Sequence, residues 1–189
     1  MGISISESTT VFHVPFSSPN NEGIPEDGFI DLKAHPEWIP VLPSCIGWPE
    51  LQSLLKVINA PHTGLMSLAA DQNFIPGDPS ESQLTSFVVI CPAEPSDRDK
   101  PAMRSLADFL RAGIDALMHK ASDALRQRLD VEILLELQPT RFRLDGVDGW
   151  SLTVMTSVCA DETHEARRIW GIVLRALETA LQAYDEEGE

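Results

Sequence analysis

Cations are what this sequence has least of. Lys and Arg number 14 against 29 Asp and Glu, a net charge of −15. Within residues 1–100 the only cations are Lys33, Lys56, Arg98 and Lys100. A protein that grips nucleic acid presents a basic stripe to phosphate, and a peripheral membrane protein sets basic clusters against anionic lipid. The charge therefore argues against both: no nucleic acid and no membrane surface as a direct partner. Cysteine is scarce as well. Cys45, Cys91 and Cys159 are odd in number and form no Cys-x-x-Cys pair, which excludes a disulfide framework. No run approaches the ~20 apolar residues that cross a bilayer. Residues 1–11 carry neither the basic nor the apolar part of a secretory signal. The expected location is the cytoplasm.

Chemical motifs are missing too. There is no Gly-rich phosphate loop, no Gly-x-Ser-x-Gly and no His-Glu-x-x-His. The five histidines, His13, His35, His62, His119 and His164, are scattered without ligand spacing. Cys45 has no neighbouring His or cation in its local sequence to lower its pKa. The cluster Asp161, Glu162, His164 and Glu165 has metal-binding chemistry, but acids in a first helical turn complement the helix dipole, and that reading is preferred. Asp145 and Asp148 around two glycines lack calcium-loop spacing and read as a hairpin turn. No catalytic residue, metal or cofactor is assigned, and an enzyme is not the favoured reading.

What is present is a globular pattern of 189 residues, 43% hydrophobic and 23% charged, which fits one domain. Proline divides it. Thirteen of the 14 prolines lie between Pro15 and Pro101. Residues 1–62 are therefore expected to be rich in loops, and 63–185 to form a regular α+β core. In the first part, Val11 to Val14 and residues 29–32 read as short strands, and Pro49 opens a helix with Leu51, Leu54, Leu55 and Ile58 at helical spacing. Met1-Gly2-Ile3-Ser4-Ile5-Ser6 matches a myristoylation consensus, but the alternation of Ile3 and Ile5 reads better as the lead-in to a strand.

In the second part, residues 63–70, 84–91, 131–137 and 150–159 read as strands. A helix from Pro101 carries Met103, Leu106, Leu110, Ile114, Leu117, Ala121 and Leu125 on one face. A last helix, capped by Asp161, carries Ala166, Ile169, Trp170, Val173, Leu177, Leu181 and Tyr184. Leu84-Thr85 and Leu152-Thr153 each open a run that ends seven positions later in Cys91 and Cys159. The expected fold is α+β: an antiparallel sheet of four or more strands, amphipathic helices on one face, and a tandem strand–strand–helix repeat. From about residue 48 the order is helix, two strands, helix, two strands, helix. That order is similar to the small acidic chaperones of type III secretion. Element order alone carries the likeness, and the long N-terminal region departs from it.

A helix over residues 101–129 would be about 43 Å long, against about 26 Å for an eight-residue strand. The overhang needs cover from the N-terminal half or from a second subunit, and a homodimer is favoured. The expected function is a non-catalytic protein-binding domain of accessory, adaptor, immunity or secretion-chaperone type. The alternatives are a small ligand-binding protein or enzyme with a pocket under the Pro-rich loop, or an acidic nucleic-acid mimic. The interaction surface is expected at Trp38, Ile39, Leu42 and Trp48, in a segment that prolines keep irregular, with Asp71, Gln72, Asn73 and Phe74 of a neighbouring turn.

Overall fold

In the computed structural model, which describes residues 1–14, 30–75, 82–120, 130–142 and 146–187, the second half of the chain forms four long strands. They are β3 (Leu65–Ile75), β4 (Ser82–Pro92), β5 (Asp130–Phe142) and β6 (Val147–Ala160). β3–β4 and β5–β6 are hairpins, and β4 pairs antiparallel with β6 at the centre. Two N-terminal strands, β1 (Gly2–Glu7) and β2 (Phe12–Val14), both lie along β5. They run parallel to it, so the six-stranded sheet is mixed and the expected antiparallel sheet forms its core. Ile3 and Ile5 pack against the main core, and the residues of the myristoylation-like pattern belong to β1.

The strands outrun their expected ends, and β5 continues through Pro139. The reason lies in which way each N–H points. Trp150 stands opposite Pro139 and sends its N–H away from β5, to the Arg98 carbonyl at 2.8 Å. That pair is therefore of the non-hydrogen-bonded kind, and the Pro139 nitrogen faces the β1–β2 edge. Glu7 pairs with Leu137, the Ser8 N–H donates to the Leu137 carbonyl at 2.8 Å, and Phe12 pairs with Thr140, so residues 9–11 leave the ladder where proline offers no donor.

Three helices cover one face: α1 (Pro49–Ile58), α2 (Lys100–Lys120) and α3 (Thr163–Glu187). Pro49 sits in the first turn of α1, and Leu51, Leu54, Leu55 and Ile58 are buried. Buried Asn59 ends that helix. Its amide donates to the Leu55 carbonyl and Ser67 Oγ, both at 2.8 Å, and accepts from the Ser67 N–H at 3.0 Å. Asp99 caps α2, taking the Ala102 N–H at 2.7 Å. Gly113 leaves α2 unbroken; a Cβ there would lie 3.1 Å from Ala180 Cβ, so the glycine sets how closely α2 approaches α3. α3 begins two residues after Asp161, and Glu162 accepts its first i to i−4 bond, from the Ala166 N–H at 3.0 Å. The cap position is thus Glu162 rather than Asp161.

Beneath the helices, β4 contributes Leu84, Val88 and Ile90, β5 Val131, Ile133, Leu135 and Leu137, and β6 Leu152, Val154 and Val158. Trp170 of α3 is fully buried among them. Its Nε1–H donates to Ser86 Oγ at 2.9 Å, and Ser86 Oγ lies 2.7 Å from Thr156 Oγ1, so these three polar groups within the core are paired. The tandem match is visible in the central ladder. Leu84 pairs with Val158, Leu152 pairs with Ile90, and Phe87 faces its counterpart Met155. The two units thus meet about a local two-fold axis between Phe87 and Met155.

Two expectations change. Residues 30–34 form a turn rather than a strand, with Asp31 Oδ1 accepting the Lys33 and Ala34 N–H groups at 3.0 Å. The overhang argument changes with the strand lengths. The 14 residues of β6 span about 46 Å, more than the about 43 Å of a helix over 101–129, of which α2 is described to Lys120. Strands of that length leave the argument for a dimer without its ground. Ala121 and Leu125, expected on that helix, lie outside the described residues, as does the turn residue Asp145.

Candidate functional site

The Pro-rich segment forms two short 3-10 helices, Pro36–Val41 and Pro43–Cys45. Three prolines interrupt any longer ladder of N–H donors, and each turn is only a few residues long. Its inner side is core. Ile39 and Cys45 are fully buried, and Trp38, Leu42 and Trp48 are half-buried against the same cluster. Trp48 meets Trp170 edge-on, with ring centres 5.4 Å apart, and the Arg167 guanidinium lies 4.7 Å from the Trp48 ring. Arg167 also donates to the Gly47 carbonyl at 2.7 Å, tying the segment to α3. Only Val41 and Ile46 turn large apolar side chains to solvent here, at 50% and 64% exposure. Burial raises the Cys45 thiol pKa, a Ser44 hydrogen bond opposes the rise, and the Asp71 charge adds to it. A thiol held protonated and fully buried is no nucleophile.

Asp71, Gln72, Asn73 and Phe74 belong to β3 rather than to a turn. Strand alternation divides them. Phe74 packs against the main core on the helix side, and Gln72 shares its parity. Asp71 and Asn73 face the other way, onto the side of the sheet that carries no helix among the described residues. The eight expected residues thus resolve into two groups. Trp38, Ile39, Leu42, Trp48 and Phe74 converge on the core and Gln72 shares the helix-side parity, whereas Asp71 and Asn73 stand on the open face.

The open face has two parts. At one end a second apolar cluster, Val14, Leu68, Val89, Cys91 and Phe142, is buried. Beside it Arg98 is 6% exposed, donates to the Pro92 and Ala93 carbonyls at 2.9 Å, and sets its guanidinium 4.3 Å from the Phe142 ring centre. The other part is a shallow depression of about 430 Å³. Its register is simple. Asp71, Phe87, Met155 and Leu134 stand side by side on β3, β4, β6 and β5, in one row across the sheet. The next row is Asn73, Thr85, Ser157 and Glu132. Phe87 is 37% exposed, and Met155 and Leu134 are half-buried.

Phe87, Met155, Leu134 and Glu132 were missed by the sequence reading. Phe87 hides within the apolar run of β4, yet its parity is opposite to that of Leu84, Val88 and Ile90. Among the described residues the helices cover one side of the sheet, so side chains of that parity lie away from the main core, and this was the available signal.

Among the described residues, no group of three His, Cys, Asp or Glu side chains is placed to hold a metal ion. His164 lies 3.0 Å from Glu162 in an exposed pair at the start of α3. Arg141 and Asp148 stand opposite each other on β5 and β6, 2.9 Å apart. Their hydrogen bond lowers the Asp148 pKa and raises that of Arg141. Asp148 is therefore a strand residue in an ion pair rather than part of a turn. Among the described residues, no helix is long and apolar enough to cross a membrane. In comparisons with protein families, curated proteins and solved structures, nothing matches this chain. The element order that resembles secretion chaperones is present among the described residues, with no matching structure behind it.

Proposed function

We propose that the protein is a non-catalytic domain that binds another protein on the open face of its sheet. The observation that carries this reading is the row Phe87, Met155 and Leu134. These are adjacent apolar side chains at the centre of a sheet whose other face already buries the whole main core. Large apolar side chains left outward on a central strand have no role in folding the helix side, and aromatic anchors at the middle of a patch are typical of protein interfaces. Asp71 and Asn73 rim the same depression and remain part of the proposed surface. The proline-rich segment buttresses α3 and the core, with Val41 and Ile46 as its outward residues.

A photo-crosslinking residue at position 87 tests this in lysate of the native cell. Expected is a discrete crosslinked protein that is absent when the same residue replaces Lys56, which is exposed on α1. No adduct at 87, or equal labelling at both positions, overturns the reading.

A further inference from the structure

We infer that the occupant of the open face is a cationic amphipathic helix of another protein. This rests on the binding reading above and adds the chemistry of the partner. The apolar row runs across the strands rather than along them. Phe87, Met155 and Leu134 occupy three adjacent strands, spanning about 10 Å at the usual strand spacing. Along β5, Leu134 lies midway between Glu132 and Glu136, and all three share one parity. Those two carboxylates stand four residues apart, about 13 Å. A helix with its side chains is about 10–12 Å wide. A helix laid along the apolar row therefore fits between the two glutamates, with Asp71 near its β3 end.

The frame is of one sign. Asp71, Asp130, Glu132 and Glu136 all take the open parity, and among the described residues no Lys or Arg shares it on β3, β4, β5 or β6 between these rows. The complement is a narrow apolar stripe with Lys or Arg on both flanks. A second copy of this chain does not supply it. Face to face, two copies would set the same four carboxylates against each other, and like charges so opposed repel. Nucleic acid and an anionic lipid surface meet the same repulsion.

The test is fluorescence anisotropy with a labelled helical peptide of about 14 residues made of leucine and lysine. Its analogue with glutamate in place of lysine serves as control. Expected is saturable binding of the lysine peptide only, weakening with salt. Phe87→Asp adds a negative charge. If the row is the anchor, that variant binds about tenfold more weakly; if attraction is only of the acidic protein for a cation, it binds as tightly or more so, and the inference falls. Glu132 is exposed, so Glu132→Lys leaves the fold intact and should also weaken binding. Unchanged affinity in Glu132→Lys, or equal binding of both peptides, likewise overturns it. A crosslinked partner at position 87 that engages this face without a cationic helix would leave the binding reading standing and remove this one. Failure of the crosslink removes both.

Discussion

At the scale of single residues, the tightest constraint is Gly149. A Cβ there would lie 2.8 Å from the Arg98 carbonyl oxygen, 3.0 Å from Arg98 Cβ and 3.3 Å from the Phe142 ring. The Arg98 carbonyl cannot retreat without releasing the Trp150 N–H that it accepts. Gly149→Ala is expected to cost about 1–3 kcal/mol, as overpacked sites do, and to lower the Tm by several degrees in a thermal melt. Gly64 has nothing within 4 Å of its built Cβ, so Gly64→Ala is the control and should leave the Tm unchanged or slightly raised. None of this was legible beforehand. Arg98 read as one cation in a loop, and Gly149 as a turn residue. A carbonyl meeting a strand glycine from 51 positions away leaves no local pattern in the chain. Ile39 was misplaced for a related reason: three prolines forbid regular structure, but they do not decide which side of an irregular turn is covered.

Among the elements, α1 and α3 meet through a carboxyl that carries a measurable cost. Burial raises the Glu178 pKa, against the opposing pull of a Ser53 hydrogen bond and the Arg175 charge. A carboxyl whose folded-state pKa lies above its unfolded value holds its proton more tightly when folded. Stability contributed by that group is therefore greatest in acid, and it falls as pH rises from the ordinary glutamate value through the raised one. Glu178→Gln removes the charge. The variant should melt higher than the parent at pH 7, with the gap closing toward pH 4; a gap independent of pH would reject the assignment. The helices themselves were readable because their apolar residues recur at three and four over long windows, and Leu106, Leu110, Ile114, Ile169, Val173 and Leu177 are all buried. Strand lengths were not. Residues 131–137 read as a strand with 141–144 as its extension past Pro139, and the sequence does not show that the proline nitrogen faces a gap in an edge strand, which is what lets β5 run unbroken from Asp130 to Phe142.

For the whole molecule, the sign of the charge and the one-sided layering were legible, while the position of the N-terminal strands was not, because pairing partners 130 residues apart leave no local pattern. With strands long enough to support the helix and the open face self-repelling, the chain is expected to scatter as a monomer of 20.8 kDa at micromolar concentration. A mass twice that, lost in Phe87→Asp, would show that two copies use the face after all. The parallel edge has one more consequence, and it concerns time. Ile3 settles beside Ile133, and Val14 beside Phe142. A ribosome therefore releases β1 and β2 long before the strand that receives them exists. The hairpins and helices can assemble from near neighbours, but the first strands made must wait through the synthesis of most of the chain, and loop closure over that distance is slow. The parallel edge of the sheet therefore closes only once β5 has been made, although both strands that form it precede β5 in the chain.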